Sequence, residues 1–309
     1  MKNLLSLSTA YLIKKSKSWQ NLIREAKLLN FQNIELSVEI PELWMKEIEL
    51  SVSNNEIGIS SLHNYCPALI GLPKNRTIYS GYLLTSDDEN ERKLALEYTL
   101  KTIEWAQRLN AKAVVIHAGE IETNPSGKEF FKYIKQLGYK EKQDSRYFEP
   151  IQISRKINSA KYLDRLMKGL DKILSFAQDK NIEIGLENRF YFNEIPNIEE
   201  TAKIFETFPD APLGYWHDTG HAEVFVRIGL VKNHLEYIKP FSEKLIGVHL
   251  HDIKGLEDHY APGSGDFDFS ILKPYLAEKV LRVIEAHTHS SSDEVKRSII
   301  YLENAGLLS

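Results

Sequence analysis

The sequence predicts an α/β fold: a single (β/α)8 TIM barrel over residues 1–309, with long loops after strands three and four. Three observations predict it. Eight short apolar runs alternate with longer one-faced segments, the pattern of repeated strand–helix units. No Gly/Ser/Pro-rich linker and no low-complexity stretch divides the chain. A length of 309 residues suits one such barrel. A doubly wound open sheet is the competing arrangement.

The expected strands are 3–8, 33–38, 57–62, 112–117, 182–187, 212–218, 245–250 and 280–285. Helical patterns lie between them. In 161–179, Leu163, Leu166, Leu170, Ile173, Leu174 and Ala177 recur at three- and four-residue steps. The segment 86–109 opens with Ser86 and Glu89 at capping-box spacing and puts Leu96, Leu100, Ile103 and Ala106 on one stripe. Asn197 with Glu200 reads as a second cap. Two stretches break the repeat: a Pro/Gly-containing loop at 64–85 and a polar, aromatic-dotted insertion at about 118–157. Both follow strands, at the end where a barrel keeps its active site, and are read as binding loops or lids.

The residues that end the apolar runs carry the chemistry. His63, His117, Glu187, Asp218 and Glu285 close five runs, and the seventh contains His249 and His251. Alternation along a strand sorts the faces. Ile182, Ile184 and Leu186 pack outward, so Glu187 faces the barrel interior. By the same rule His117, His249, His251, Glu35 and Ser37 point inward and His217 points away. Carboxylates converging at one rim repel unless a positive charge offsets them, and a divalent cation does so directly. Mixed oxygen and imidazole donors suit manganese, cobalt, zinc or iron(II); magnesium suits imidazole less. His234, His287 and His289 are read as surface or outer residues, Cys66 as a small loop hydrophobe, and Trp44, Trp105 and Trp216 as packing residues.

Composition excludes several classes. Hydrophobic residues make up 42% and charged residues 27%, ordinary globular values that rule out a disordered or fibrous chain. No apolar run approaches the roughly 20 residues of a membrane helix. The start, MKNLLSLSTAYLIKKSKSW, lacks a signal-peptide cleavage pattern. The single cysteine removes an internal disulfide, so a cytoplasmic location is expected. The net charge of −4 argues against a general nucleic-acid-coating surface.

LHNY at 62–65, IHAG at 116–119, GLEN at 185–188, DTGH at 218–221, HLHD at 249–252, HYAPGSGDFDF at 259–269 and VIEAH at 283–287 occur in order along the chain. Together they resemble the xylose isomerase-like TIM-barrel superfamily, which includes sugar (phosphate) isomerases and epimerases and the endonuclease IV class. The resemblance implies a divalent metal held by Glu187, Asp218, His249 and Glu285, with His249 preferred over His251 because Asp252 completes a His-x-x-Asp pattern. It implies that His221 contacts substrate or a further zinc. It offers His63, His117 and His259, with Glu257 in an aspartate's place, as additional metal or substrate ligands; His251 joins that set. It also makes a homo-oligomer plausible.

The function expected is a metal-dependent isomerase or epimerase of a small sugar-like or keto substrate. A proton leaves the carbon next to a carbonyl, and a metal-stabilised enediolate forms. Glu187 and Glu285 would move the proton and His221 would orient an oxygen. Arg189, Lys254 and Glu35 are candidate substrate-binding residues, the first two as anchors for a carboxylate or phosphate. The alternatives are an endonuclease IV-like zinc phosphodiesterase with a multinuclear site, a lyase or dehydratase on the same scaffold, and a barrel that binds without catalysis.

Overall fold

The computed structural model describes residues 5–74, 76–138 and 145–308, with side chains from residue 148 in the last stretch. Eight parallel strands close into a barrel. They are β1 (Leu5–Ser8), β2 (Asn33–Leu36), β3 (Gly58–His63), β4 (Ala113–Ile116), β5 (Glu183–Glu187), β6 (Leu213–Asp218), β7 (Leu245–Leu250) and β8 (Leu281–Ile284). Each lies on a predicted run; residues 3 and 4 of the first run fall outside the described residues. β1 pairs with both β2 and β8, which closes the ring.

The outward strand residues meet the helices. Ile34, Leu36, Val114, Ile116, Ile184, Leu186, Val248 and Leu250 are all fully buried in that layer. The helix Trp19–Leu28 shows how the sequence builds its share. Ser18 accepts a hydrogen bond from the Asn21 backbone N–H, and Trp19, Leu22, Ile23 and Ala26 form the buried stripe.

The inward residues form a second, smaller core of Ala113, Val115, Trp216, Leu281 and Val283. Trp216 dominates it. A Cβ on Gly247 would stand 2.2 Å from the Trp216 ring and one on Gly185 2.8 Å, so both neighbouring strands need glycine to admit the indole. This apolar plug is the floor on which the polar site rests.

Three expectations change. The helix Glu89–Arg108 is capped by Asp88, whose side chain accepts from the Asn90 N–H; Ser86 instead donates to Glu91 at 2.7 Å. The stretch 118–157 is largely helical. Gly127–Leu137 is a helix with a complete Ser126/Glu129 capping box, and the helix over 161–179 is the end of a longer one, Ser145–Lys180. Residues 139–144 of that stretch lie outside the described residues, as does residue 75 of the loop 64–85. Asn197 and Glu200 do form the expected capping box.

Arg155, on the long helix, reaches the same cap. Its Nη1 and Nη2 donate to Glu200 at 2.8 and 2.7 Å, and Nε and Nη2 also donate to the carbonyls of Phe192 and Glu194. Both side chains are buried. Breaking such a pair leaves an uncompensated charge, so Arg155→Met should cost about 3–5 kcal/mol of unfolding free energy. Denaturant unfolding tests this, and Arg155→Met combined with Glu200→Leu should lose less than Arg155→Met alone.

Candidate metal centre

The C-terminal ends of the strands deliver their polar residues to one cavity of about 250 Å³. Its lining includes His63, His117, Glu187, Arg189, His221, His259, Glu285 and His287 on one side. Ala10, Ser37, Val38, Glu39 and Tyr79, from the loops after β1, β2 and β3, form the other.

His249 lies at the base, fully buried, with its ring 5.2 Å from Trp216. Its two nitrogens face different partners. Nε2 meets Glu35 at 3.1 and 3.2 Å. Nδ1 lies 2.6 Å from Glu187 Oε1, 3.2 Å from Glu285 Oε2 and 3.7 Å from Asp218 Oδ2. Glu35 accepts only, so it fixes a proton on Nε2 and turns Nδ1 toward the other three carboxylates. Glu187, Asp218, His249 and Glu285 can each offer one ligand atom within 4.8 Å of the others. A hard–borderline set of three carboxylates and one imidazole fits a divalent manganese, cobalt, zinc or iron ion.

The electrostatics say the same. Burial would raise the carboxylates. Hydrogen bonds from His117 and His249 outweigh it and hold Glu187 well below the usual range. His249 and His259 do the same for Glu285, and His221 and His251 lower Asp218. Burial should lower His249, yet Glu285, Glu35 and Glu187 raise it well above an ordinary imidazole. The surroundings thus call for one positive charge at the place where the donors converge.

Two further groups of donors adjoin this one: His63, His117 and Glu187, and Asp218, His221, His251 and His259. His117 Nε2 sits 2.8 Å from Glu187 Oε2. Burial pushes His63 down to about 4, with His117 adding to the effect. Asp218 caps the helix Thr219–Arg227 by accepting from the His221 N–H at 2.7 Å. Gly220 lets that helix approach, because a Cβ there would stand 2.1 Å from His251. His251 accepts from the His259 N–H at Nδ1 and so donates from Nε2 to Asp218 at 2.8 Å. His221 Nδ1 faces the Asn188 carbonyl at 3.0 Å, which leaves Nε2 for the cavity.

Four expected site residues stand elsewhere or are otherwise engaged. Glu35 does not line the cavity; it is fully buried beneath His249 and bonded to Ser61 at 2.8 Å, so substrate cannot reach it. Lys254 is exposed and lies over the Tyr260 ring. Glu257 is 64% exposed and pairs with Lys135; Asp258, one residue on, pairs with His259 at 3.0 Å. The ribbon Asp252–Lys254/Glu257–Tyr260 alternates, so neighbours in sequence take opposite sides. Arg189 lines the cavity, but Nη1 is 2.7 Å from Glu187 and Nη2 2.6 Å from Glu194. Glu194 also accepts from the Tyr191 N–H, and its strand pairs with Gly119–Glu120 just after His117.

His287 and Glu39 line the cavity and were not expected there. His287 stacks on His259 at 3.9 Å, and burial pushes it down to about 3. Continuing the strand alternation past β8 and β2 would have found both, as Glu285/His287 and Glu35/Ser37/Glu39. His234 is also buried rather than superficial, 2.8 Å from His217 on the helix side of β6. His217 points away from the cavity as expected, while Cys66 and Trp216 are buried in the core.

The profile of the xylose isomerase-like TIM-barrel family matches residues 23–303. The chain belongs to that family. Among solved structures, a D-tagatose 3-epimerase-like protein superposes with a TM-score of 0.67 at 21% identity, covering 98% of this chain and 97% of the other. The apo 3-keto-D-glucoside 4-epimerase of E. coli does so with 0.67 at 13% identity, covering 97% and 99%. These are likenesses of fold. An uncharacterised protein of Methanocaldococcus jannaschii is 29% identical over 187 residues, 60% of this chain. The match spans about half of that relative, 53% of its length.

A pH prediction follows from His249. Its folded value is raised, so metal-free protein at pH 7 carries a proton on Nδ1, while the carboxylates are already ionised. A metal taken up there must displace that proton. Calorimetric titration of manganese in buffers of different ionisation enthalpy should show about one proton released at pH 7. The release should shrink as pH rises through the raised His249 value.

Proposed function

We propose that the chain is a divalent-metal-dependent isomerase or epimerase of a small sugar-like carbonyl compound. The observation that carries the reading is the convergence of Glu187, Asp218, His249 and Glu285 beside a small cavity that Glu187 and Glu285 both line. At about 250 Å³ the cavity lies below the 300–1,000 Å³ typical of drug-sized ligands, so it suits a small substrate. The two solved structures named above are of an epimerase and an epimerase-like protein, which supports the same class.

Glu187, Asp218, His249 and Glu285 would hold the ion, with zinc, manganese, cobalt or iron(II) favoured over magnesium. Bound there, it supplies positive charge to neighbouring substrate oxygens as negative charge develops. The chain's own groups do the rest. Glu187 and Glu285, reaching in from β5 and β8, take a proton from one face of the carbon next to the carbonyl and return it to the other. His221 offers Nε2 to a substrate hydroxyl. His63, neutral because burial pushes it down to about 4, can donate to or accept from an oxygen without adding charge. Arg189 acts on Glu187 rather than on substrate. Its guanidinium, anchored by Glu194, holds one carboxylate oxygen and sets the direction of the other.

Deuterium incorporation at the carbon next to the carbonyl, followed by NMR in heavy water, tests the reading. Glu187→Gln and Glu285→Gln should each lower exchange and turnover by about 10²–10⁴-fold; unchanged exchange in both overturns it. Arg189→Lys keeps a charge but loses the fork that spans Glu187 and Glu194. It should lower kcat about 10–100-fold with little change in KM, because a carboxylate misplaced by about 1 Å loses alignment.

A second reading, a multinuclear zinc phosphodiesterase, is favoured by the two donor groups that share Glu187 and Asp218 with the central one. It calls for two or three zincs per chain by elemental mass spectrometry and for cleavage of abasic duplex DNA. A lyase begins with the same proton abstraction and is distinguished by loss of water from the product.

A further inference from the structure

We propose that Glu39 and Tyr79 form a specificity rim that selects an uncharged polyol chain and rejects phosphorylated or carboxylated substrates; this rests on the isomerase reading above. The cavity has two unlike walls. The loops and strand ends from β4 to β8 supply the donor-rich wall with Glu187, His221, His259 and Glu285. The loops after β1, β2 and β3 supply the other, whose ionisable lining residues among those described are Glu39 and Tyr79. In the barrel order β2 and β6 lie on opposite sides, so a substrate with its reacting carbons at Glu187 and Glu285 directs its remaining carbons toward this rim.

The rim is pre-arranged to accept hydrogen bonds. The Tyr79 hydroxyl donates to Glu39 Oε1 at 3.1 Å, and Lys14 Nζ approaches the same oxygen at 3.8 Å. Both contacts fall on Oε1, which leaves Oε2 to accept from a substrate hydroxyl. The Glu39 side chain is 13% exposed, so it is held in the wall, whereas Lys14 is 58% exposed and does not line the cavity. A sugar hydroxyl can donate to a carboxylate. A phosphate or carboxylate group has acceptor oxygens only and would meet Glu39 acceptor to acceptor, with like charges in contact.

Among the described residues no other group would reward an anion at this end. Among the described lining residues Arg189 is the one Lys or Arg, and both ends of its guanidinium are taken by Glu187 and Glu194. Lys254, the other cation expected to anchor an anion, is outside the cavity over Tyr260. Lys14 could meet a phosphate only by giving up Glu39, which would leave that carboxylate facing the dianion.

The test uses the manganese-loaded full chain and the heavy-water exchange assay. The probes are free pentuloses and hexuloses, D-fructose and D-tagatose among them, each paired with its terminal phosphate ester. The expected result is exchange on at least one free ketose with kcat/KM at least ~10-fold above that of its ester. Glu39→Gln should narrow that ratio and Glu39→Lys should reverse it, with metal content and unfolding midpoint unchanged as the control for folding. Tyr79→Phe should raise KM for the free ketose and leave kcat near its original value. Wild-type preference for the ester overturns the proposal, as does a ratio that Glu39→Lys leaves unaltered. Exchange confined to esters overturns the rim alone and keeps the isomerase reading. No exchange on any sugar of either set sinks that reading and the rim with it.

Discussion

Four carboxylates surround one buried imidazole, and the rest of the upper barrel is organised by that constraint. Glu35, Glu187, Asp218 and Glu285 all lie within 4 Å of a nitrogen of His249. Removing even one carboxylate from water costs several kcal/mol unless charge and hydrogen bonds replace the solvent. The replacements are visible: His117 and Arg189 on Glu187, His251 and the His221 N–H on Asp218, Ser61 on Glu35. One layer below, the same barrel fills its interior with Ala113, Val115, Trp216, Leu281 and Val283. An apolar interior was therefore available to this fold. The polar layer above it is costly to hold together, and its donors meet at a point where they could hold a cation.

The loops extend that order outward. The ribbon joining Gly119–Glu120 to Glu194–Ile195 ties the segment after His117 to the segment that carries Arg189. Arg155 fastens it from the long helix, through the carbonyls of Phe192 and Glu194. Glu187 is thus held by a chain of contacts that begins some thirty residues away in sequence, the fixed geometry that the proposed proton transfer would need. The opposite wall needs less. Among the described residues it has no cluster of buried charge, and the Lys14–Glu39–Tyr79 contacts lie near the surface, where ion pairs contribute little to stability. Residues there are free to serve recognition.

The barrel was legible because its strands carry period-two alternation and its helices period-three-and-four stripes, and both survive in single segments such as 182–187 and 161–179. The central donors were legible for the same reason, since alternation gives the face of Glu187 and His249. Alternation gives a face and not a depth. Glu35 points inward as expected but lies a layer too low to meet substrate. Stopping the rule at the last apolar residue hid Glu39 and His287, whose backbone continues in the strand's phase after hydrophobicity has ended. The helix Gly127–Leu137 was hidden by its composition, although Ser126 and Glu129 spell its cap. Partner choice was not legible at all. Arg189 looks like an anion anchor in sequence, and only the fold brings Glu194 back to occupy it.

Glu35 also explains why His249 and His251, two residues apart on one strand face, have different parts. A histidine ligand must present one nitrogen without its proton, and something must hold the proton on the other. Glu35 does this for His249 from below, which leaves Nδ1 directed at Glu187, Asp218 and Glu285. His251 makes no such carboxylate contact at Nδ1 among the described residues. Its Nδ1 is taken by the His259 N–H, so its proton resides on Nε2 and is directed at Asp218. His251 thereby becomes the holder of a neighbouring ligand, and His249 the candidate ligand itself. The distinction rests on a carboxylate more than two hundred residues earlier in the chain, which the closed ring alone brings beneath β7.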